Sequence, residues 1–233
     1  MSDAPILEVA GLCTYYGTSQ ALFAATLAAP RTGAVAVLGL NGAGKTTLLQ
    51  TIVGELRATR GTITFDGDDV TRMPTHKRIQ RGLGYVPQEQ AIFGQLSVRE
   101  NLLVGGITAK DDSGIDEVVE MFPKLGERMA QHAGTLSGGE RKMLAIGRAI
   151  LSHPKLLLLD EPTEGVWVGV IEEIAERLEK MTQRISVVIV EQHVELALKV
   201  ADYAYVFDRG RVALEGPADE VRDNPDLLRL LAP

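Results

Sequence analysis

The sequence lacks several features, and each absence excludes a class of protein. Cys13 is the only cysteine, so the chain can form no internal disulfide, and no metal-ligand pattern surrounds this thiol. No stretch approaches the ~20 apolar residues that a membrane-spanning helix needs. Residues 1–5 have neither the basic start nor the apolar run of a signal peptide. We therefore expect a cytoplasmic protein that meets a membrane only through its partners.

An excess of basic residues is also missing. The chain has 24 lysines and arginines against 31 aspartates and glutamates, which gives a net charge of -7. Nucleic-acid binding domains usually show the opposite balance, so we expect no nucleic-acid partner. No repeat and no Pro- or Ser-rich linker divides the 233 residues. We predict one domain over residues 1–233, with an inserted helical subdomain at approximately 95–150.

Three continuous apolar runs indicate buried strands, at residues 34–38, 156–159 and 187–190. Near-continuous apolar strands separated by helical patterns are typical of a parallel sheet that is covered on both faces. The fold class predicted is therefore α/β.

A second, small antiparallel sheet is predicted from shorter signals. Residues 6–9 alternate between apolar and polar, further strand candidates occupy 21–23 and 62–65, and Asp66-Gly67 is a hairpin turn signal. Helical patterns are predicted at 98–104, 115–122, 141–152 and, as one or two short helices, 217–231.

A phosphate-binding loop follows the first apolar run. The sequence there matches G-x-x-x-x-G-K-[ST] and lies between a strand and a helical pattern, as this P-loop motif requires. Glycines let backbone N–H groups approach phosphate oxygens, and the helix N-terminus adds positive charge. Lys45 is expected to reach the β- and γ-phosphates of ATP, and the Thr46 hydroxyl to bind Mg²⁺. The nucleotide-binding residues predicted here are Gly39, Leu40, Asn41, Gly42, Ala43, Gly44, Lys45, Thr46 and Thr47.

Two carboxylates follow the second apolar run. Asp160 and Glu161 would lie at the carboxyl end of a strand, where open α/β sheets place their ligands. We expect Asp160 to hold Mg²⁺ and Glu161 to polarise the attacking water as a general base. The alternative is that both residues are solvated acids at the end of a strand with no role in catalysis. The P-loop upstream in the same chain favours the functional interpretation.

Residues 135–140, Thr-Leu-Ser-Gly-Gly-Glu, resemble the signature motif of the ABC ATPases. The same residues also suit the N-cap of a helix over 141–152, and both readings can hold. In that family the motif binds the γ-phosphate of ATP held by the other subunit. The resemblance therefore implies an ABC ATPase core and a dimer with two ATP molecules between its subunits, closed by Ser137, Gly138, Gly139 and Glu140.

Other positions extend the resemblance over essentially the whole chain. Tyr16 stands where the family has an aromatic residue that stacks on adenine, with Tyr15 as the alternative if the register shifts. Gln88 matches the Q-loop glutamine, which contacts Mg²⁺ and links to the membrane subunit. Where most members have a histidine that contacts the γ-phosphate, alignment places Gln192, and His193 follows as a helix-start residue. The resemblance implies Thr46, Gln88 and Asp160 at Mg²⁺, and Glu161 with Gln192 as catalytic residues.

Residues 81–88, 161–165 and 190–192 resemble one subgroup, the ATPases of branched-chain amino acid importers and the related urea and short-amide importers. That subgroup implies two transmembrane permease subunits, a sister ATPase or a second copy of this chain, and indirectly a substrate-binding protein. It also implies a peripheral position on the inner face of the cell membrane. The alternatives are a urea or short-chain amide importer, a lipopolysaccharide exporter, and a soluble ABC ATPase that acts as an assembly or regulatory factor.

Two features stand apart from these motifs. Trp167 occupies a position in the interface loop where many members have aspartate. Two alternatives stay open: the indole packs into the dimer interface, or it packs into a neighbouring pocket of its own subunit. A basic stretch is predicted to be a solvated helix face; it comprises Arg72, His76, Lys77, Arg78 and Arg81.

Overall fold

The structure is a computed structural model that describes residues 4–107 and 114–232. Within these residues the strands form one sheet of four and one of six. The strands are β1 (Leu7–Tyr16), β2 (Ser19–Ala29), β3 (Gly33–Leu38), β4 (Ala58–Phe65), β5 (Asp68–Asp69), β6 (Leu83–Val86), β7 (Leu156–Asp160), β8 (Ser186–Glu191), β9 (Tyr203–Asp208) and β10 (Arg211–Pro217).

The helices alternate with the strands of the larger sheet. They are α1 (Lys45–Val53), α2 (Thr75–Gln80), α3 (Val98–Gly106), α4 (Gly114–Met121), α5 (Pro123–Gly126), α6 (Gly138–Ile150), α7 (Val168–Thr182), α8 (Val194–Val200), α9 (Ala218–Arg222) and α10 (Pro225–Leu230). The two short C-terminal helices are as predicted. The prediction that α6 begins at Arg141 was wrong, because the Ser137 hydroxyl caps the helix one turn earlier.

The six-stranded sheet has the order β10-β9-β3-β8-β7-β6, and β3 lies beside β8 and β9. Strands β6, β7, β8, β3 and β9 run parallel, which confirms the α/β prediction, while β10 is an antiparallel edge strand. Parallel strands bring their carboxyl ends to one edge of the sheet. The P-loop after β3 and the acidic pair after β7 therefore meet at that edge.

Side chains on the central strands alternate between two cores, one on each face of the sheet. Along β3, Ala34, Ala36 and Leu38 face a core shared with the helices α3 to α8. Val35 and Val37 face a second core, formed with α1 and the four-stranded sheet. All of these side chains are buried, which explains why the run showed no alternation of polar residues.

The smaller sheet is antiparallel, as predicted, with the order β2-β1-β4-β5. Its hairpin between β4 and β5 turns at Asp66 and Gly67, which have φ angles of 50° and 86°. Two successive positive φ angles are the conformation that an Asp-Gly hairpin favours. This sheet positions Tyr16, the last residue of β1, beside the P-loop helix.

The basic stretch was predicted to be solvated, and that prediction was wrong for Arg78. This side chain is 2% exposed. Its guanidinium donates hydrogen bonds to the carbonyl oxygens of Thr51 and Ile52 at 2.9 and 2.6 Å, and of Met73 and Thr71 at 2.8 and 3.1 Å. Arg78 therefore joins the last turn of α1 to the chain before α2, and burial lowers the pKa of its guanidinium.

Helices α3, α4, α5 and α6 fall inside the segment 95–150, where the helical subdomain was predicted. Residues 108–113 of this segment lie outside the described residues. Both α3 and α6 begin with a capping box, made by Ser97 with Glu100 and by Ser137 with Glu140. Among the described residues, no helix combines the length and apolarity that crossing a membrane requires.

Candidate functional site

The P-loop connects β3 to α1 and surrounds one end of a cavity of about 550 Å³. Gly42 and Gly44 have φ angles of 81° and 103°, which L-residues with a side chain rarely adopt. A Cβ on Gly39 would lie 2.6 Å from the carbonyl oxygen of Phe207. These glycines are thus required by the backbone itself, which curls so that the N-terminus of α1 faces the cavity. The remaining P-loop residues that line the cavity are Asn41, Lys45, Thr46 and Thr47.

Lys45 is the first residue of α1 and is 4% exposed. Its ammonium group donates to the carbonyl oxygens of Gly39 and Leu40, at 2.8 and 3.1 Å. It also lies 3.4 Å from the carboxylate of Glu161. The lysine predicted to bind phosphate is therefore folded back onto its own loop and paired with the residue predicted to be the base.

The Thr46 hydroxyl and the Asp160 carboxylate are brought together from α1 and β7. The hydroxyl donates to Asp160 Oδ1 at 3.2 Å, while Asp160 Oδ2 is buried and has no hydrogen-bond partner among the described residues. Burial raises the pKa of Asp160 from an ordinary 3.8 to about 6, and the neighbouring charge of Glu161 acts in the same direction. A buried carboxylate with a free oxygen is costly unless a cation compensates it.

Glu161 is the centre of the site. Its carboxylate accepts hydrogen bonds from the side-chain amides of Gln88, at 3.1 Å, and Gln192, at 3.3 Å. With Lys45 it therefore has three partners. Its φ angle is 47°, an uncommon left-handed conformation for a residue with a side chain. This turn directs Glu161 to the same edge as Asp160, as predicted, and strained backbone of this kind is concentrated at functional sites.

Gln192 and His193 are neighbours in the sequence, but they lie in different places. The Gln192 amide contacts both Glu161 and the P-loop residue Asn41. His193 is exposed and holds the N-cap position of α8. Of the two, Gln192 is the one that joins the acidic pair to the P-loop.

Tyr16 lines the cavity, and its hydroxyl lies 3.0 Å from Gln50 and 3.3 Å from Thr47. Tyr16 is 49% exposed, so part of this residue is accessible to a ligand. The alternative residue Tyr15 instead hydrogen-bonds Gln20 and is not among the cavity's lining residues. The structure thus favours the register that assigns Tyr16.

The signature residues lie apart from the P-loop cavity of the same chain. The Ser137 hydroxyl accepts a hydrogen bond from the Glu140 backbone N–H at 3.3 Å, and the Glu140 carboxylate accepts one from the Ser137 backbone N–H at 2.9 Å. Gly138 and Gly139 are the first two residues of α6, and they are half-buried and buried, respectively. Among the described residues that line the cavity, none belongs to this motif.

Comparison with known proteins identifies the family. The sequence profile described as "ABC transporter" matches residues 22–164, which is more than half of the chain. This chain belongs to the ABC transporter ATPase family. It is an ABC-type ATP hydrolase, and ATP is the nucleotide that the P-loop binds.

Individual relatives agree over nearly the full length. The chain is 43% identical over 216 residues to the high-affinity branched-chain amino acid transport ATP-binding protein BraG of Pseudomonas aeruginosa, covering 91% of this chain and 93% of BraG. It is 38% identical to a probable branched-chain amino acid transport ATP-binding protein, LivF, of Archaeoglobus fulgidus, covering 84% and 85%. A crystal structure of the ADP conformation of an ABC transporter cassette matches with a TM-score of 0.86 at 26% identity, covering 97% and 98%.

Sequence reasoning missed one cation of this ABC ATPase site. Lys142 of α6 donates to the carbonyl oxygens of Gln88, at 3.0 Å, and Glu161, at 2.9 Å. Burial lowers the pKa of its ammonium group. Lys142 fixes the backbone at both residues whose side chains meet at the centre of the site. No motif signalled it, because its partners are main-chain atoms far away in the sequence.

A buried glutamate behind the site was missed as well. Glu191 is 1% exposed and accepts hydrogen bonds from the Thr163 N–H and hydroxyl, at 3.0 and 2.6 Å. Burial raises the pKa of its carboxyl group. Since Glu191 precedes Gln192 and Thr163 follows Glu161, this contact sets the spacing of the two catalytic candidates. Thr163 and Glu191 are polar residues close in sequence to Glu161 and Gln192, and that position was the sequence signal that could have indicated their contact.

Trp167 holds the N-cap position of α7 and is 78% exposed. Its six-membered ring lies over the Cα of Gly169, where a Cβ would collide with it. The indole thus rests on its own helix and leaves most of its surface open. Trp167 therefore contacts its own subunit at Gly169 but does not fill a pocket there.

The residues present fit a nucleotide with its magnesium ion. The cavity offers a helix N-terminus, a lysine and an accessible aromatic ring, which suit phosphates and a base. The free oxygen of Asp160 and the Thr46 hydroxyl are oxygen ligands of the kind that Mg²⁺ prefers. Gln88, the third residue predicted to bind Mg²⁺, donates a hydrogen bond to Glu161, the neighbour of Asp160.

Proposed function

We propose that this chain is the ATP-hydrolysing subunit of an importer of branched-chain or other hydrophobic amino acids. The observation that carries the proposal is the 43% identity to BraG across 91% of the chain, together with the Glu161 centre described above. The name of LivF points to the same solute class. Urea or amide import, lipopolysaccharide export and a soluble regulatory role are not favoured by these relatives.

In the proposed mechanism, the P-loop N–H groups and Lys45 bind the phosphates of ATP. Thr46, Gln88 and Asp160 would hold Mg²⁺, which supplies charge neutralisation at the phosphates when it is bound. Lys45 now pairs with Glu161 at 3.4 Å, so phosphate oxygens compete with this carboxylate for the ammonium group. Nucleotide binding thereby frees Glu161 to accept a proton from water.

Glu161 acts as the general base, and Gln192 orients it and the γ-phosphate end of the P-loop. The side-chain amides of Gln88 and Gln192 both donate hydrogen bonds to the Glu161 carboxylate, which fixes the position of the proton acceptor. Catalysis by such a site rests on positioning and electrostatics. Gln192 is a neutral donor where most family members have a histidine, and the cations among the described residues that line the cavity are Lys45 and Arg209.

Assembly completes the site in this proposal. A second ATPase, either a sister subunit or another copy, places its Ser137, Gly138 and Gly139 over the γ-phosphate, while Tyr16 stacks on adenine. Two transmembrane permeases, which receive solute from a binding protein, hold the pair on the inner face of the membrane. Residues 1–233 are proposed as one ATPase domain with the helical subdomain at about 95–150.

Affinity capture tests the proposal. Tagged Glu161→Gln protein is recovered from detergent-solubilised membranes with ATP and Mg²⁺, and its partners are identified by mass spectrometry, with Lys45→Ala as the matched control. We expect two permeases and a sister ATPase with Glu161→Gln and much less with Lys45→Ala. The recovered complex, reconstituted in vesicles with its binding protein, should then take up leucine with ATP.

Two outcomes would overturn it. Recovery of ribosomal, repair or cofactor-assembly proteins in place of permeases indicates a soluble factor. Uptake of urea or a short amide, with none of leucine, identifies the related importer type. The ATPase chemistry would stand in both cases, because it rests on the P-loop and the acidic pair.

A further inference from the structure

A second cleft lies at the opposite edge of the six-stranded sheet from the P-loop. It has a volume of about 800 Å³ and is lined by α4, the C-terminal part of α7 and the residues before β7 and β8. His153 and Pro154 precede β7, and Ile185 precedes β8. Because β3, β7 and β8 are parallel, these residues mark the amino ends of strands whose carboxyl ends carry the nucleotide site. The two sites are therefore separate.

The floor of this cleft is apolar. Met121 of α4, Ile150 of α6, Met181 of α7 and Ile185 line it. Met121, Ile150 and Ile185 pack on the helical-face core but remain partly exposed. Methionine side chains adapt their shape to a ligand. The floor thus suits a branched or unbranched aliphatic group, and no phenylalanine, tyrosine or tryptophan is among the described residues that line the cleft.

The walls of the cleft carry opposite charges. Glu117 and Glu120 come from α4, while Lys180 of α7 and Arg184 of the following turn lie on the other side. Among the described residues, an ion pair between Arg184 and Glu117 at 3.2 Å crosses the cleft, and since both side chains are exposed this pair is weak and can exchange for a ligand. A simple anion would be attracted to one wall and repelled by the other. A ligand that carries both charges fits both walls.

Arg177 supplies a specific polar group beneath these walls. It lies one turn before Lys180 and Met181 on α7 and lines the cleft. Its Nε atom is buried and has no hydrogen-bond partner among residues 4–107 and 114–232. Because protein atoms enclose Nε, a ligand in the cleft would meet this half-buried side chain through its terminal guanidinium nitrogens. Carboxylate is the group that arginine binds most strongly in proteins.

We propose that this cleft is a binding site for a free hydrophobic α-amino acid. The carboxylate binds Arg177, with Arg184 or Lys180 adding charge, and the ammonium group faces Glu120 and Glu117. The aliphatic side chain covers the apolar floor. The proposal goes beyond the proposed function and does not depend on which solute the transporter carries, because only the chemistry of the cleft supports it.

Isothermal titration of the full chain saturated with ADP tests this site while the nucleotide cavity is filled. L-leucine is compared with isocaproate, which lacks the ammonium group, and with isoamylamine, which lacks the carboxylate. We expect L-leucine to bind with a Kd of about 1 mM or tighter, and each analogue to bind about tenfold more weakly. Failure of L-leucine to bind, or equal binding of isocaproate, would overturn the proposal.

Variants locate the binding. Arg177→Met and Glu120→Gln should each weaken L-leucine binding by about tenfold, while basal ATP hydrolysis stays unchanged. Glu127→Gln is the matched control, since Glu127 is an exposed glutamate outside the cleft and should bind as the unmodified chain does. Should Arg177→Met fail to fold, Glu120→Gln decides alone, because this side chain is exposed. Unchanged binding in Glu120→Gln and in any folded Arg177→Met places the ligand elsewhere and refutes the site.

Discussion

The carboxylate of Glu161 is surrounded by one ammonium group and two amides, and this arrangement gives a sharp expectation at the residue scale. Changing Glu161→Gln keeps the shape and the capacity to bind Gln88 or Gln192 but removes the proton acceptor. Nucleotide affinity should persist, while kcat should fall by about 10²-fold or more. Phosphate release and fluorescent-nucleotide titration measure the two quantities.

Glu195→Gln serves as the control for that change. Glu195 is an exposed glutamate in the first turn of α8, outside the described lining of the nucleotide cavity. It should turn over ATP at the unmodified rate. Hydrolysis by Glu161→Gln at the control rate would remove Glu161 from its assigned role.

Asp160 gives a pH-dependent expectation. Burial raises its folded pKa to about 6, above the value of 3.8 for an exposed carboxyl, so the native nucleotide-free protein binds this proton more tightly than the unfolded chain. Stability from this group is therefore greatest below about pH 4 and is lost as pH rises to about 6. Asp160→Asn removes the buried charge and should raise the Tm at pH 7–8 by about 2–4 °C.

Thermal melts of the nucleotide-free protein across pH 4–8 measure this difference, with exposed Asp223→Asn as the control. The gain from Asp160→Asn should shrink toward acidic pH, while Asp223→Asn should change little throughout. A Tm that falls at pH 8 on Asp160→Asn would show that the carboxylate is compensated in the nucleotide-free protein.

At the scale of elements, α3 and α6 begin with the same capping box, so they form a matched pair. Ser97→Ala and Ser137→Ala each delete the hydroxyl that accepts the N3 backbone N–H. Both should lower the free energy of unfolding by about 1 kcal/mol. Only Ser137→Ala should also reduce ATP hydrolysis, because its hydroxyl is proposed to meet the partner's nucleotide.

Urea unfolding and steady-state hydrolysis separate the two effects. Equal loss of hydrolysis in both variants would mean that Ser137 matters only as a cap. Loss of hydrolysis in Ser137→Ala with unchanged stability would instead question the capping geometry.

Elements also differ in how far the sequence predicts them. The strand before the P-loop and the strand before Asp160 are continuous apolar runs next to unmistakable polar motifs, so their parallel pairing followed from local pattern. Arg78 was misjudged because two of its four acceptors, the carbonyl groups of Thr51 and Ile52 at the end of α1, are more than 20 residues away. Lys142 likewise acts through distant main-chain oxygens. Local pattern carries no information on such contacts.

For the whole molecule, the proposed closing of two chains over ATP predicts a change of mass. Glu161→Gln with ATP and Mg²⁺ should move from monomer to dimer in size-exclusion chromatography with light scattering, since turnover no longer separates the subunits. Lys45→Ala should stay monomeric, because it loses its phosphate contact. A Glu161→Gln chain that stays monomeric over a wide concentration range would favour pairing with a different ATPase.

The indole of Trp167 gives the protein an optical property. Trp167 is the only tryptophan in the sequence, and 78% of it is exposed at the start of α7. Emission excited at the red edge of the absorption band therefore comes from one loop, with no background from the two cores. A blue shift or protection from a soluble quencher would show that this loop has become covered, in real time and without any attached dye.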